Sequence, residues 1–298
     1  PLDEYVALCE LFTLSNGNSW KTKQNWRKTD GTLNERGTQG TWYGVTLTGM
    51  HVTAIELPGN NVNGAILHLL EKFPYIKKID LRDNGILGKI PASIGLLSQL
   101  EELKLAYNLG VGNTIPTEIG NLPLLRHLDL SKMNLTGNIP ATLGNCTKLQ
   151  YLLLYSNHLT SSIPAHFGNC IQLVHCDLSD NRLNGELPAS LGNCTSLQHL
   201  LVANNELSGE IPADLGYCTQ LTELVLSGNR LTGTIPVTLA SCTKLATLML
   251  QSNKLSGTIP QSLTQLTKLN KEYSSIHYNQ LTAEGETLRS EERRVGKE

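Results

Sequence analysis

The chain has 298 residues, 24 of them basic and 26 acidic, for a formal net charge of −2. That balance gives no electrostatic footing for nucleic acid or for an anionic membrane surface. No apolar run reaches the roughly 18 residues that a bilayer span needs, so no direct membrane insertion is expected of this fragment. Pro1 opens the chain without an initiator Met or a signal-peptide pattern, which points to a truncated or processed N-terminus.

The first predicted element is a helix. Asp3 to Phe12 has helical spacing of apolar residues. Asn16-Gly17-Asn18-Ser19-Trp20, Asn25-Trp26 and Trp42-Tyr43-Gly44-Val45 follow, and all three Trp of the chain fall in this stretch. We read residues 1–51 as an N-terminal cap. A stacked array must cover the apolar end of its first unit, and a helix with aromatics does so. The Trp are therefore expected in the cap core rather than stacked on a ligand.

From Val52 onward one frame recurs. Asn60, Asn84, Asn108, Met133, Asn157, Asn181, Asn205, Asn229 and Asn253 are 24 residues apart, with one step of 25. Leu248 to Pro260 is a clean copy: apolar, any, apolar, any, any, Asn, any, apolar, any, Gly, any, Ile-Pro. A fixed period of this length means one supersecondary unit stacked many times. Alternating apolar residues such as Leu224 and Leu226 predict a short strand with one buried face. Successive strands lie parallel, roughly 4.8 Å apart. The Asn turns inward, where its amide meets backbone groups that would otherwise be buried without partners. The Gly permits a tight bend, and Ile-Pro fixes an extended return. Each coil buries about five large aliphatic side chains, each worth roughly 1.5–3 kcal/mol. The repeats are taken as residues 52–270, with 271–288 a degenerate last unit whose Asn279 falls two residues late.

Leu-x-x-Leu-x-Leu-x-x-Asn-x-Leu-x-Gly-x-Ile-Pro resembles the plant-specific class of leucine-rich repeat. The resemblance implies an α/β repeat solenoid: a right-handed superhelix with a parallel concave sheet and an N-terminal helical cap. The class builds ectodomains of receptor-like kinases, receptor-like proteins and polygalacturonase-inhibiting proteins. It implies a non-catalytic extracellular module, without cofactor or metal, that binds a protein or peptide on its inner sheet. A secreted inhibitor of a cell-wall hydrolase and a surface- or ice-adsorbing protein are the alternatives. The concave face lacks the uniform Thr or Asn rows that the last would need. The plant cap carries two Cys around Trp-x-Gly-Val. This chain has Thr41 and Thr46-Leu47 there, which points toward a microbial or protist relative.

The Cys residues are informative by position. Cys146, Cys170, Cys194, Cys218 and Cys242 are 24 apart and fill a slot held by Phe73, Leu97, Leu122 and Leu266 in other coils. They read as buried thiols, acting as small hydrophobes, rather than as disulfides or a metal ladder. Met133 breaks the Asn row. A thioether cannot replace an amide, so a local cost on the order of 1–3 kcal/mol is expected unless water or Asn134 substitutes. A one-residue insertion within 109–113 precedes it.

Function is expected on the outward strand positions, five per coil: two before the first strand apolar residue, one between, two after. These include Ala106, Ser131 and Val225. One column runs His127, Tyr151, His175, His199, and its neighbour runs Asp129, Leu153, Asp177, Leu201. Exposed aromatics and aliphatics on a concave sheet suggest a contact patch. The candidate binding centre is Tyr107, His127, Asp129, Tyr151, Leu153, Tyr155, His175, Asp177, His199 and Leu201. The His row could make binding pH-dependent. Asn134-Leu-Thr, Asn145-Cys-Thr and Asn193-Cys-Thr fit the glycosylation pattern. Arg289 to Glu298 resembles translated sequencing adapter and is set aside.

Overall fold

The computed structural model describes residues 1–282. The adapter-like run and the end of the last unit lie outside the described residues. The cap helix spans Leu2–Leu14 and turns Ala7, Leu8, Leu11 and Phe12 inward. Trp20, Trp26 and Trp42 are all buried. Their rings pack in a row with Phe12: Trp20–Trp26 at 4.9 Å, Trp26–Trp42 at 4.8 Å and Phe12–Trp26 at 5.6 Å. Each indole N–H finds an oxygen, from Ser15, Tyr43 and Thr38, as a buried indole requires. The buried Glu4 carboxylate accepts the Val52 N–H at 2.7 Å and lies 2.8 Å from His51 Nδ1. That contact fastens the helix to the hairpin that starts the sheet.

The hairpin is Val45–Thr48 antiparallel with His51–Glu56. Its second strand then opens a run of parallel partners, giving a ten-stranded sheet. Those partners are the three-residue strands Lys78–Asp80, Glu102–Lys104, His127–Asp129, Tyr151–Leu153, His175–Asp177, His199–Leu201, Glu223–Val225 and Thr247–Met249. Equivalent residues of successive coils are in register, for example Tyr151 opposite His127 and His175. The middle residue of each strand points inward and is buried, whether Leu, Ile or Cys176. One apolar cluster runs unbroken from Ala7 to Leu266.

The return path is more structured than an extended segment. Each Ile-Pro step, and the Leu187-Pro188 step in the same place, leads into a 3-10 turn, such as Ala141–Asn145 after Pro140 or Ala189–Asn193 after Pro188. A Cβ added to Gly144 would lie 2.4 Å from the His166 carbonyl oxygen of the next coil, so the close stacking of these turns selects glycine. Short parallel ladders also form along the flank, as between Leu135–Asn138 and His158–Thr160. Here the Gly of the frame has positive φ, 74° at Gly185. Ser161 takes the same conformation at φ 68° without glycine's freedom.

The Asn side chains form a hydrogen-bond ladder on both sides of Met133. Asn181 Nδ2 donates to the carbonyls of Leu154 and Leu178, and its Oδ1 accepts from Leu159 N–H. Asn60 instead exchanges bonds with Thr22 of the cap, at 2.7 and 2.8 Å. Asn279, late in sequence, still donates to Leu250 and accepts from Leu255.

Met133 does not leave the gap expected of it. In a regular coil an Asn oxygen there would accept from the N–H two residues past the preceding Asn; the insertion moves the equivalent position to Val111, which pairs with Gly88 as Ile86 pairs with Gly64. The inserted residue closes a tight turn in which Val111 N–H donates to the Asn108 carbonyl at 3.0 Å. The Leu105 and Leu130 carbonyls still receive the amides of Asn108 and Asn157, at 2.7 and 2.9 Å. Asn134 Nδ2 also donates to Leu109 O at 2.7 Å. The insertion and the missing Asn are thus one feature.

Candidate functional site

The concave strands deliver the candidate residues to one face, but in an uneven way. Tyr107 and Tyr151 are exposed, at 43% and 38%. His127, Leu153, Tyr155, His175, Asp177, His199 and Leu201 are half-buried. Asp129 departs from expectation: it is only 6% exposed, and Ala106, Ser131 and Val225 are buried as well. The reason lies two coils apart. Tyr155 Oη sits 3.1 Å from Tyr107 Oη, so the pair bridges the coil that carries Asp129 and Ser131. Small side chains at Ala106 and Ser131 leave room for that span. Shut off beneath it, the Asp129 carboxylate accepts from Ser131 N–H at 3.2 Å and from its hydroxyl at 2.8 Å. Burial pushes its carboxyl upward despite those bonds.

Two stacked ring pairs continue the surface. His127 and Tyr151 stack at 5.0 Å with an interplanar angle of 19°. His175 and His199 stack at 4.9 Å and 29°. In-register parallel pairing puts equivalent side chains directly beside one another, so flat rings on adjacent coils stack. His199 Nδ1 lies 3.1 Å from Glu223 Oε2. Asp177 accepts Ser179 N–H at 3.0 Å, and burial raises its carboxyl.

The two inner His residues are poor switches near neutrality. Burial first, and the Lys104 charge second, push His127 down to about 4. Burial and the neighbouring His199 also lower His175. Both are held toward the neutral form, as aromatic surface rather than as cations.

Lys132, outside the candidate binding centre, also belongs to this face. Its ammonium lies 4.8 Å from the Tyr107 ring centre and 5.9 Å from that of Tyr155. A signal was present: Tyr107 and Tyr155 flank Lys132 on the coils before and after. Toward the N-terminal end the face becomes an ion-pair network. Glu102 meets Lys78 at 2.9 Å and Lys104 at 2.6 Å, while Arg82 pairs with Asp80 at 2.7 Å.

The family description "Leucine Rich Repeat" matches residues 75–97, 124–146, 148–170, 172–194 and 196–218, and "Leucine rich repeat" matches 219–271. Among solved structures, the chain is similar to the LRR ectodomain of the membrane receptor kinase GASSHO1/SCHENGEN3 from Arabidopsis thaliana in complex with CASPARIAN STRIP INTEGRITY FACTOR 2. The identity is 30% and the TM-score 0.80, over 93% of this chain and 35% of that one. It is also similar to the Arabidopsis receptor kinase HAESA in complex with the peptide hormone IDA and the co-receptor SERK1, at 31% identity and TM-score 0.73, over 82% of this chain and 41% of that one. A plant ice-binding protein superposes with TM-score 0.77 at 24% identity, over 97% of this chain and 91% of that one, a likeness of fold alone. The chain spans less than half the length of the two receptor kinase chains. On these matches and on its own repeat frame, the chain belongs to the leucine-rich repeat family, in the plant-type, receptor-like form that such ectodomains share.

Proposed function

We propose that this chain is a non-catalytic, extracellular recognition module that holds a peptide or a protein segment on its concave sheet. The observation that carries the reading is the row of partly exposed rings on consecutive coils: Tyr107, His127, Tyr151, Tyr155, His175 and His199. Ring surfaces of low conformational freedom are what binding hot spots are made from. Leu153 and Leu201 add apolar surface between them. The likeness to receptor kinases solved with a peptide hormone or a factor bound supports the same direction.

The test uses peptides selected from a random displayed library on the intact chain. Substituting Tyr151 and His175 together by Ala should weaken the selected peptides at least tenfold while leaving the melting temperature within a few degrees. Unchanged affinity in that variant would sink the concave-face assignment.

A further inference from the structure

We propose that Tyr107, Lys132 and Tyr155 form an anchor for one acidic side chain of the bound peptide, an inference that rests on the concave-face reading above. Lys132 sits between two ring faces, 4.8 and 5.9 Å from their centres. Cation–π contact holds the ammonium in place but occupies none of its three N–H donors with a full hydrogen bond. Among the described residues Lys132 pairs with no carboxylate. Its neighbours on the face do: Lys78 and Lys104 share Glu102, and Arg82 holds Asp80. The carboxylate of its own coil, Asp129, is buried and committed to Ser131.

The two phenols complete the receptor. One hydroxyl proton is used between the oxygens, 3.1 Å apart. The other remains to donate outward. Burial and the bond to Tyr107 raise the Tyr155 phenol, which keeps it protonated. The result is a cation framed by two rings whose hydroxyl oxygens meet 3.1 Å apart. A carboxylate fits both cation and hydroxyl, through charge-assisted hydrogen bonds. The ordering of the lysine precedes binding, so little of the interaction is lost to freezing its side chain.

The experiment measures library-selected peptides against the wild-type chain, Lys132→Met and the double variant Tyr107→Phe with Tyr155→Phe. Lys132→Met keeps the stem and removes the charge, and melting curves verify that both variants fold. The expected result is a recurrent acidic position whose Glu→Gln replacement weakens binding at least tenfold on wild type and not on Lys132→Met. The phenol-less variant should lose a smaller part of the same preference. Peptides that lose affinity on Tyr151→Ala but tolerate Glu→Gln overturn the anchor and leave the concave-face reading intact. Sensitivity to C-terminal amidation instead of Glu→Gln assigns the anion to a chain terminus and also overturns the side-chain proposal. If the selected peptides ignore Tyr151→Ala, the concave-face reading fails. The anchor is then decided by titration with acetate, read on the Tyr107 and Tyr155 ring resonances. A saturable shift absent from Lys132→Met supports it, and no saturable shift overturns it.

Discussion

At the scale of single residues, the ladder Asn and its one exception make a matched pair. Asn205 donates to Leu178 O and Val202 O, and its Oδ1 accepts Leu183 N–H at 2.9 Å. Asn205→Ala strands that buried N–H, so it should cost about 2–3 kcal/mol in urea unfolding. Met133→Asn should recover less than about 1 kcal/mol, because the N–H it would serve, on Val111, is already bonded. A gain as large as the Asn205 loss would refute the compensation by the insertion. His127 supports a second expectation. Its folded pKa, about 4, lies below the ordinary 6.5. The unfolded chain therefore binds the proton between those values and the folded chain does not. Its contribution to stability is full above about pH 6.5 and is lost as pH falls toward 4. Lys104 and Arg82 oppose protonation, while Glu102 and Asp80 favour it. His127→Gln should flatten the fall in melting temperature between pH 6.5 and 4, and an unchanged slope would refute the assignment. The same depression argues against His127 as a binding switch between pH 5.5 and 7.5.

At the scale of an element, the position that caps each 3-10 turn shows how one slot takes Leu, Phe or Cys. The thiols are buried. Cys146, Cys194 and Cys218 point their Sγ at the carbonyls of Ile119, Phe167 and Leu191 in the preceding coil, each at 3.4 Å. Burial pushes these three up to about 12, and Cys170 and Cys242 to about 11. A thiol that is neither exposed nor ionised is inert. Of the 7 Cys in the chain, only the half-buried Cys9 should react with a thiol reagent at pH 8 under native conditions, and all should react in denaturant. Fast labelling of the column in the folded state would refute the packing described. The repeat frame made this slot readable as apolar and the Asn as a backbone partner. It did not foretell the 3-10 turns or the flank ladders. Those arise because Pro sets φ while the next coil's carbonyls dictate how closely the turn can stack.

At the scale of the whole molecule, the solenoid is a chain of nearest-neighbour contacts. The cap closes one end with three Trp and a buried Glu4. Toward the tenth coil Leu263, Leu269, Ile276 and Leu281 are only partly covered. Hydrogen exchange should therefore be slowest around Leu178 and Leu183 and much faster at Leu255 and Ser256. Uniform protection along the coils would show one cooperative unit instead. The sequence alone determined the stacking, because a 24-residue period leaves one way to bury its apolar residues, and it placed Tyr107, Tyr151, Tyr155 and the His column on one face. Only the tertiary structure decided which of them meet. Tyr155 reaches across two coils to Tyr107, hides Asp129 beneath it and frames Lys132, and a contact over 48 residues depends on the spacing of coils and on small side chains in between. Asn279 likewise joins the ladder because hydrogen-bond geometry, not residue count, sets its place.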